Sequence, residues 1–428
     1  MQKKEWFWCC LLTAVCLLIS CRPPNDLENV LPAVTETAVP ALSPSPHPLA
    51  SPSPHPPTPS SPNHLVTVSP PHPATPTFPI YNAPPLAQEL LGIQVHLMER
   101  DQDEIFRHLQ TLGVGWVKVQ ISWKLYEPEP GKVHNGRFIE LDQFVNRANQ
   151  ANINVLLSVS KAPEWSRPTT EMDGPPTDFA LFNRFMADLA GRYQGQVAAY
   201  ELWNEPNLQR EWNGFPLGGA EFAQLLRAGA AGVRAADAEV LLIAGAPAVT
   251  GIDDGVTAVA DRSFLRQMLE AGAADAVDGL GVHPYGFANP PDSSLSHPDS
   301  TDAPTHNNHP TFFFTDTLND YTHIQQDFGV DLPLWVTEFG WGSFENIASA
   351  PPPGVEYMAQ VTEWEQAVYT LRAFELGQMQ QLGGPMFLWN LNFGPLLGTD
   401  FAESGYSVLQ PDGRPRPVYS SLATAVKK

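Results

Sequence analysis

Between residues 91 and 426 the chain repeats one pattern eight times, a short apolar β-prone run followed by a longer amphipathic stretch, and few architectures accept that pattern. The apolar runs fall at 91–96, 116–121, 154–159, 198–203, 240–245, 279–283, 334–338 and 386–390. Helical spacing marks 101–112, 138–148, 178–193, 220–235, 263–271, 317–328, 362–380 and 418–426. Eight strand–helix pairs predict a (β/α)8 TIM barrel. The rival is a doubly wound open sheet, but no glycine-rich phosphate loop follows the first strand. Gly92-Ile93-Gln94-Val95-His96 leads straight into an acidic helix start.

In a TIM barrel the chemistry sits at the carboxyl ends of the strands. The polar residues of this chain collect there: His96, Ser158, Asn204, Glu205, His283, Glu338 and Asn390. In Tyr200-Glu201-Leu202-Trp203-Asn204-Glu205-Pro206-Asn207 a carboxylate stands where a strand must stop, flanked by an amide and an indole. Leu334-Trp335-Val336-Thr337-Glu338-Phe339-Gly340-Trp341 repeats the setting far downstream. Two acids at two strand ends suit cleavage of a glycosidic bond, one giving a proton to the leaving oxygen and the other attacking the anomeric carbon. The plainer reading is a pair of solvated strand-end acids.

The first residues read differently. Lys3 and Lys4 precede an apolar run at 6–19, too short to span a membrane comfortably, which closes on Leu18-Ile19-Ser20-Cys21. This resembles a bacterial lipoprotein signal over residues 1–20, which implies a mature chain beginning at a lipidated Cys21; an ordinary cleaved secretory signal is the alternative. Cys9, Cys10 and Cys16 would be lost with it, so the folded region is expected to hold together without disulfides.

Residues 21–87 are dominated by Pro, Ser, Thr and Ala, and are expected to form a disordered linker of polyproline character. Roughly 60 such residues at about 3.1 Å each would reach about 200 Å. His47, His55, His64 and His72 lack the compact spacing of a metal site. Residues 88–428 suit one large α/β domain. The formal net charge of −22 argues against nucleic acid or an anionic surface as partner. It fits a solvated extracytoplasmic enzyme with a neutral substrate; a monomer is expected, lipid-anchored to the bacterial cell membrane through Cys21 as the signal resemblance implies.

Four segments in order carry a family resemblance: Trp203-Asn204-Glu205-Pro206, His283-Pro284-Tyr285, Thr337-Glu338-Phe339-Gly340 and Phe387-Leu388-Trp389-Asn390. Together they resemble clan A of the glycoside hydrolases, which includes the family 5 cellulase-like and family 39 xylosidase-like enzymes. The likeness extends over residues 88–428, including Asp412-Gly413-Arg414-Pro415-Arg416-Pro417-Val418-Tyr419 near the end.

The resemblance implies retention of anomeric configuration, with Glu205 as acid/base and Glu338 as nucleophile, about 5–5.5 Å apart. Glu205 is then expected to be protonated near neutral pH, favoured by the Glu338 charge and by burial among indoles. Asn204 resembles the residue that bonds the sugar 2-hydroxyl. His283 and Tyr285 look like the residues that touch nucleophile and substrate, and Trp389 resembles the indole platform under the sugar at the cleavage point.

Other residues are read from position alone. Trp116, Trp335 and Trp364 fall within strands or a helix and read as core. Trp123, Trp165, Trp212 and Trp341 lie beyond strand ends, where an indole either stacks on a sugar or packs a loop. Glu201 shares the inward parity of Glu205 and needs a cation, for which Lys118 is the candidate. Lys118 also stands where clan members carry Arg, which leaves its role divided between supporting the site and a purely structural pair. His96 either contacts a substrate hydroxyl or packs its strand end. His306 and His309 lie in a Pro- and Ser-rich stretch, where a surface loop is expected over a metal site. No cofactor or metal is expected.

The sequence therefore predicts a retaining glycoside hydrolase acting on β-linked oligo- or polysaccharides, its sugar preference written in the loops at 287–312 and 343–354. A transglycosylase would use the same residues. A non-catalytic carbohydrate-binding surface lipoprotein has no need of both Glu205 and Glu338.

Overall fold

The computed structural model describes residues 84–98 and 100–428; the expected signal segment, Cys21 and nearly all of the linker lie outside the described residues. Among the described residues eight parallel strands close into a barrel in chain order. They are β1 Leu91–Val95, β2 Trp116–Ser122, β3 Asn154–Ser160, β4 Ala199–Leu202, β5 Leu241–Ala244, β6 Gly279–Val282, β7 Leu334–Phe339 and β8 Gly383–Leu388. The outer layer comprises α1 Gln102–Leu112, α2 Trp123–Tyr126, α3 Asn135–Gln150, α4 Phe179–Arg192, α5 Gly219–Ala236, α6 Asp261–Glu270, α7 Phe314–Asp327, α8 Glu363–Gln380, α9 Phe393–Leu397, α10 Ala402–Tyr406 and α11 Pro417–Thr424. This is the (β/α)8 TIM barrel that the eightfold alternation predicts. No helix among the described residues is long and apolar enough to cross a membrane.

Local chemistry sets the element ends. Asp101 caps α1 by accepting from the Asp103 amide, and Gly113 ends that helix in the left-handed conformation a glycine adopts without strain. Thr362 and Glu365 form a reciprocal capping box at the start of α8. The strand β8 begins three residues earlier than its sequence suggests, because Gly383-Gly384-Pro385 reads as a turn. The glycine is required there by packing: a Cβ on Gly384 would lie 2.4 Å from Cδ1 of the Trp335 indole.

The barrel interior is layered. Its floor is apolar, made by Trp116, Leu156, Ala199, Ile243, Trp335 and Phe387, with the Trp116 and Trp335 rings edge to face at 5.2 Å. Two residues further along β2 and β4, strand alternation turns Lys118 and Glu201 inward as a buried polar layer. Above that layer the strand ends open toward the loops.

One departure from alternation positions the site. Between β7 and β8 the register runs Leu334↔Gly383, Val336↔Met386 and then Phe339↔Leu388, so an extra residue in β8 is followed, past Val336, by an extra residue in β7. A bulge of this kind re-aims a side chain, and it lets Glu338 follow Thr337 without turning outward. The barrel also closes on itself at its chain ends. Leu86 donates to the Val426 carbonyl at 2.8 Å and accepts from the Lys428 amide at 3.0 Å, so its contacts begin two residues ahead of the expected boundary at 88.

Candidate active site

Four non-glycine residues at strand ends hold left-handed backbone: Lys161 (φ 62°), Trp203 (φ 80°), Glu205 (φ 47°) and Phe287 (φ 53°). Such residues are uncommon, and they gather where surrounding structure fixes a functional group. At Glu205 the surroundings are explicit. Its amide donates to the Ala246 carbonyl at 2.9 Å, and Asn207 pins the following turn by donating to Ala248 O and Val259 O.

Glu338 is held by three donors. Lys118 Nζ lies 3.2 Å from Oε1 and the Tyr285 hydroxyl donates to Oε2 at 3.1 Å. The Gln94 amide sits between two partners whose chemistry orients it, its nitrogen 3.2 Å from Glu338 Oε1 and its oxygen 3.3 Å from the Trp389 indole nitrogen. Burial and the adjoining Glu338 charge hold the Tyr285 hydroxyl well above its usual pKa, so it acts as a donor.

Lys118 reaches both of the partners between which the sequence divided it. It contacts Glu201 Oε2 at 3.0 Å as well as Glu338. Burial pulls its pKa down, but Glu201 and Glu338 outweigh burial and the net direction is up. Burial likewise pushes Glu201 up, and Lys118 brings it below its ordinary value. Both groups are therefore charged, and each compensates the other.

Glu205 departs from expectation. Its Oε1 lies 3.3 Å from His283 Nδ1 and its Oε2 accepts from Arg210 Nη2 at 2.6 Å. Burial acts to raise its pKa, but the His283 contact and the Arg210 charge lower it to about 2. The expected protonated Glu205 is thus corrected to an ionised one, because a guanidinium occupies the place beside it.

One atom each of Glu205, His283 and Glu338 lie within 4.8 Å of one another. This closeness suits two carboxylates acting on one anomeric centre, with no room for a water between them. The same three side chains offer a cation three ligand atoms, though Lys118 and Arg210 already contact the two carboxylates.

The cavity above them is lined by Gln94, His96, Gln120, Ser122, Lys161, Asn204, Tyr285, Phe287, Tyr357, Trp389, Phe393 and Tyr406, among others. Asn204 is buried and its Oδ1 accepts no protein hydrogen bond, leaving it free to meet a hydroxyl. His96 faces the cavity, its backbone fixed by Asn392; burial and nearby Arg100 and Arg137 lower it to about 4, so it is neutral.

The structure removes other expected contacts. Trp341 is 1% exposed, donates to Asn289 O and packs on Phe314 and Phe339, so it is core and no platform. Trp165 is half-buried, donates to Glu127 O and lies outside the cavity lining. Trp123 stacks on Phe185, and Trp212 packs between Trp203 and Phe222. Trp364 is half-buried on α8. His306, expected on a surface loop, is buried against Phe287, Phe312 and Tyr357. Asn390 braces the loop after β8 by accepting from the Phe393 amide, and Ser158 pairs in register with Glu201 below the site.

Sequence reasoning missed Gln94, Lys161, Arg210 and Tyr406. Gln94 shares the inward parity of His96, which was a usable signal. Lys161 and Arg210 follow strand ends, where periodicity stops.

The model of the cellulase family, glycosyl hydrolase family 5, matches residues 81–394. No curated protein matches the sequence. Among solved structures, the chain is similar to a family 39 glycoside hydrolase from the gut symbiont Bacteroides cellulosilyticus WH2, at 22% identity and a TM-score of 0.60 over 80% of this chain and 65% of that one. A glucosidase from Croceicoccus marinus gives 14% identity and a TM-score of 0.56, over 80% and 69%. An exo-β-1,4-mannosidase from Opitutaceae bacterium strain TAV5 gives 16% and 0.51, over 80% and 59%. The chain thus spans just under two thirds of the first of these. At such identities the likeness is one of fold.

Proposed function

The chain belongs to the cellulase family of glycosyl hydrolases, family 5, and from that membership we propose that it is a retaining glycoside hydrolase of β-linked oligo- or polysaccharides. The carrying observation is the pair of buried carboxylates at the ends of β4 and β7, with atoms within 4.8 Å. A double displacement fits this spacing. Glu338 attacks the anomeric carbon while the bond to the leaving oxygen breaks, and Glu205 gives that oxygen its proton. Water then attacks the same carbon, returning a proton to Glu205 and freeing Glu338. Tyr285, Lys118 and Gln94 keep the Glu338 oxygens aimed, Asn204 meets the 2-hydroxyl, and Trp389 offers its indole face to the ring.

The domain plan follows the sequence: a signal at 1–20, a lipid on Cys21, a linker over 21–87 and the catalytic domain over 88–428, on the extracytoplasmic side of a bacterial membrane. Its support is the Leu18-Ile19-Ser20-Cys21 pattern and the composition that follows. Mass spectrometry of the mature N-terminus tests it; a free amine at any other residue refutes the anchor.

The chemistry is tested on aryl β-xylosides, β-glucosides and β-mannosides and on soluble xylan, glucan and mannan. Glu338→Gly is expected to lose hydrolysis by about 10⁴-fold or more, and azide is expected to rescue Glu205→Ala as a β-glycosyl azide. Full activity in Glu338→Gly would refute the mechanism, and no hydrolysis of any glycan by the wild type would favour the binding lipoprotein.

A further inference from the structure

We propose that Arg210 is a positioning residue for the proton transfer: its guanidinium grips Glu205 until a leaving-group sugar enters, then shifts toward Glu211 and frees Glu205 to carry the proton. The proposal rests on Glu205 being the acid. In the arrangement described, neither carboxylate oxygen of Glu205 is at liberty, Oε1 meeting His283 and Oε2 meeting Arg210. With Glu205 held below its ordinary value by His283 and Arg210, little of it would carry the proton at pH 7 in this arrangement. A general acid works best with its pKa near the operating pH, and withdrawal of the guanidinium that now lies 2.6 Å from Oε2 would bring Glu205 closer to it.

A second seat exists beside the first. Arg210 Nε lies 3.8 Å from Glu211 Oε1, and Glu211 Oε2 is buried without a hydrogen bond. Burial pushes the Glu211 carboxyl up to about 7 against the opposing Lys161 and Arg210 charges, so a closer guanidinium would favour its ionised form. Glu403 on α10 lies within reach of the Arg210 charge, and neither of its carboxyl oxygens has a hydrogen-bond partner. The groups around Glu205 and Arg210 are Glu211 from the same loop, Lys161 just after β3 and 3.9 Å from Glu211, His283 and Tyr285 from the segment after β6, Glu338 from β7 and Glu403 from α10. Arg210 makes the shortest of the contacts to Glu205 and is carried by the turn after β4 and not by a strand.

The test uses the full chain labelled with ¹³Cδ-glutamate, with Glu205 assigned through Glu205→Gln. The Glu205 midpoint is expected to rise by about two units or more in Arg210→Gln and to fall back in part in Arg210→Lys. Kinetics on 4-nitrophenyl β-glycosides add a second reading. The alkaline limb of kcat/KM reports the free enzyme and that of kcat the complex, so in the wild type the kcat limb should lie higher, and in Arg210→Gln the two should coincide. Glu211→Gln should lower the kcat limb toward that of kcat/KM. An unmoved Glu205 midpoint in Arg210→Gln, or limbs that already coincide in the wild type, overturns the proposal. An active Glu205→Ala would instead overturn the reading of Glu205 as the acid, a distinct failure.

Discussion

Lys118 Nζ stands 3.0 Å from Glu201 and, with the same ammonium, 3.2 Å from Glu338, so the buried polar layer of the barrel and the proposed nucleophile share one charge. Lys118→Met leaves Glu201 buried without its cation, which should cost about 3–5 kcal/mol of stability. Specific activity of the folded enzyme should fall as well, because Glu338 loses a donor. Urea unfolding and kcat/KM on one preparation separate the two effects. In Lys118→Met/Glu201→Leu the buried charge is gone, and stability should return while activity does not. Full activity in either variant would make Lys118 structural only.

Burial raises the Glu403 carboxyl from 4.5 to about 7, with Arg210 opposing weakly. A raised folded-state pKa means that the folded protein holds a proton which the unfolded chain has released. The stabilisation is complete below pH 4.5 and disappears as pH climbs through 7, a loss of about 3 kcal/mol. Glu403→Gln should thus be more stable than wild type at pH 8 and no better at pH 4.5. The slope contributed by Glu211, also raised to about 7, should remain. Urea midpoints at the two pH values give the answer, and equal shifts at both would contradict it.

The two tryptophans at the ends of β7 and β8 should behave oppositely. Trp341→Ala removes a fully packed indole and should destabilise the fold by about 3–5 kcal/mol, with little change in KM for the molecules that remain folded. Trp389 lines the cavity, and Trp389→Ala should lower kcat/KM on aryl β-glycosides by about 10- to 100-fold with a smaller effect on melting. A large rise in KM for Trp341→Ala would restore it as a sugar platform.

The eight strands were readable because each is a mostly apolar, β-prone run between helices, and the motifs around Glu205 and Glu338 marked the strand ends that matter. What made Glu338 useful was less visible: the extra residue in β7 arises from pairing with β8, and pairing leaves no mark on a single strand. Trp341 illustrates the reverse, since an indole just past a strand end looks available until Phe314 and Phe339, distant in sequence, close over it. His306 was misplaced for the same reason, its cover coming from Phe287, Phe312 and Tyr357 in separate segments. Arg210 sits in a turn with no period to betray its direction, and so the protonation of Glu205 was read with the wrong sign.

The hydrogen bonds joining Leu86 to Val426 and Lys428 make the domain almost a ring. A short peptide would complete that ring, and new ends cut at an exposed turn such as Glu129–Lys132, far along the chain from Glu205 and Glu338, should still leave eight strands that meet in the same cyclic order. Where the polypeptide starts is, for this barrel, a matter of synthesis more than of architecture.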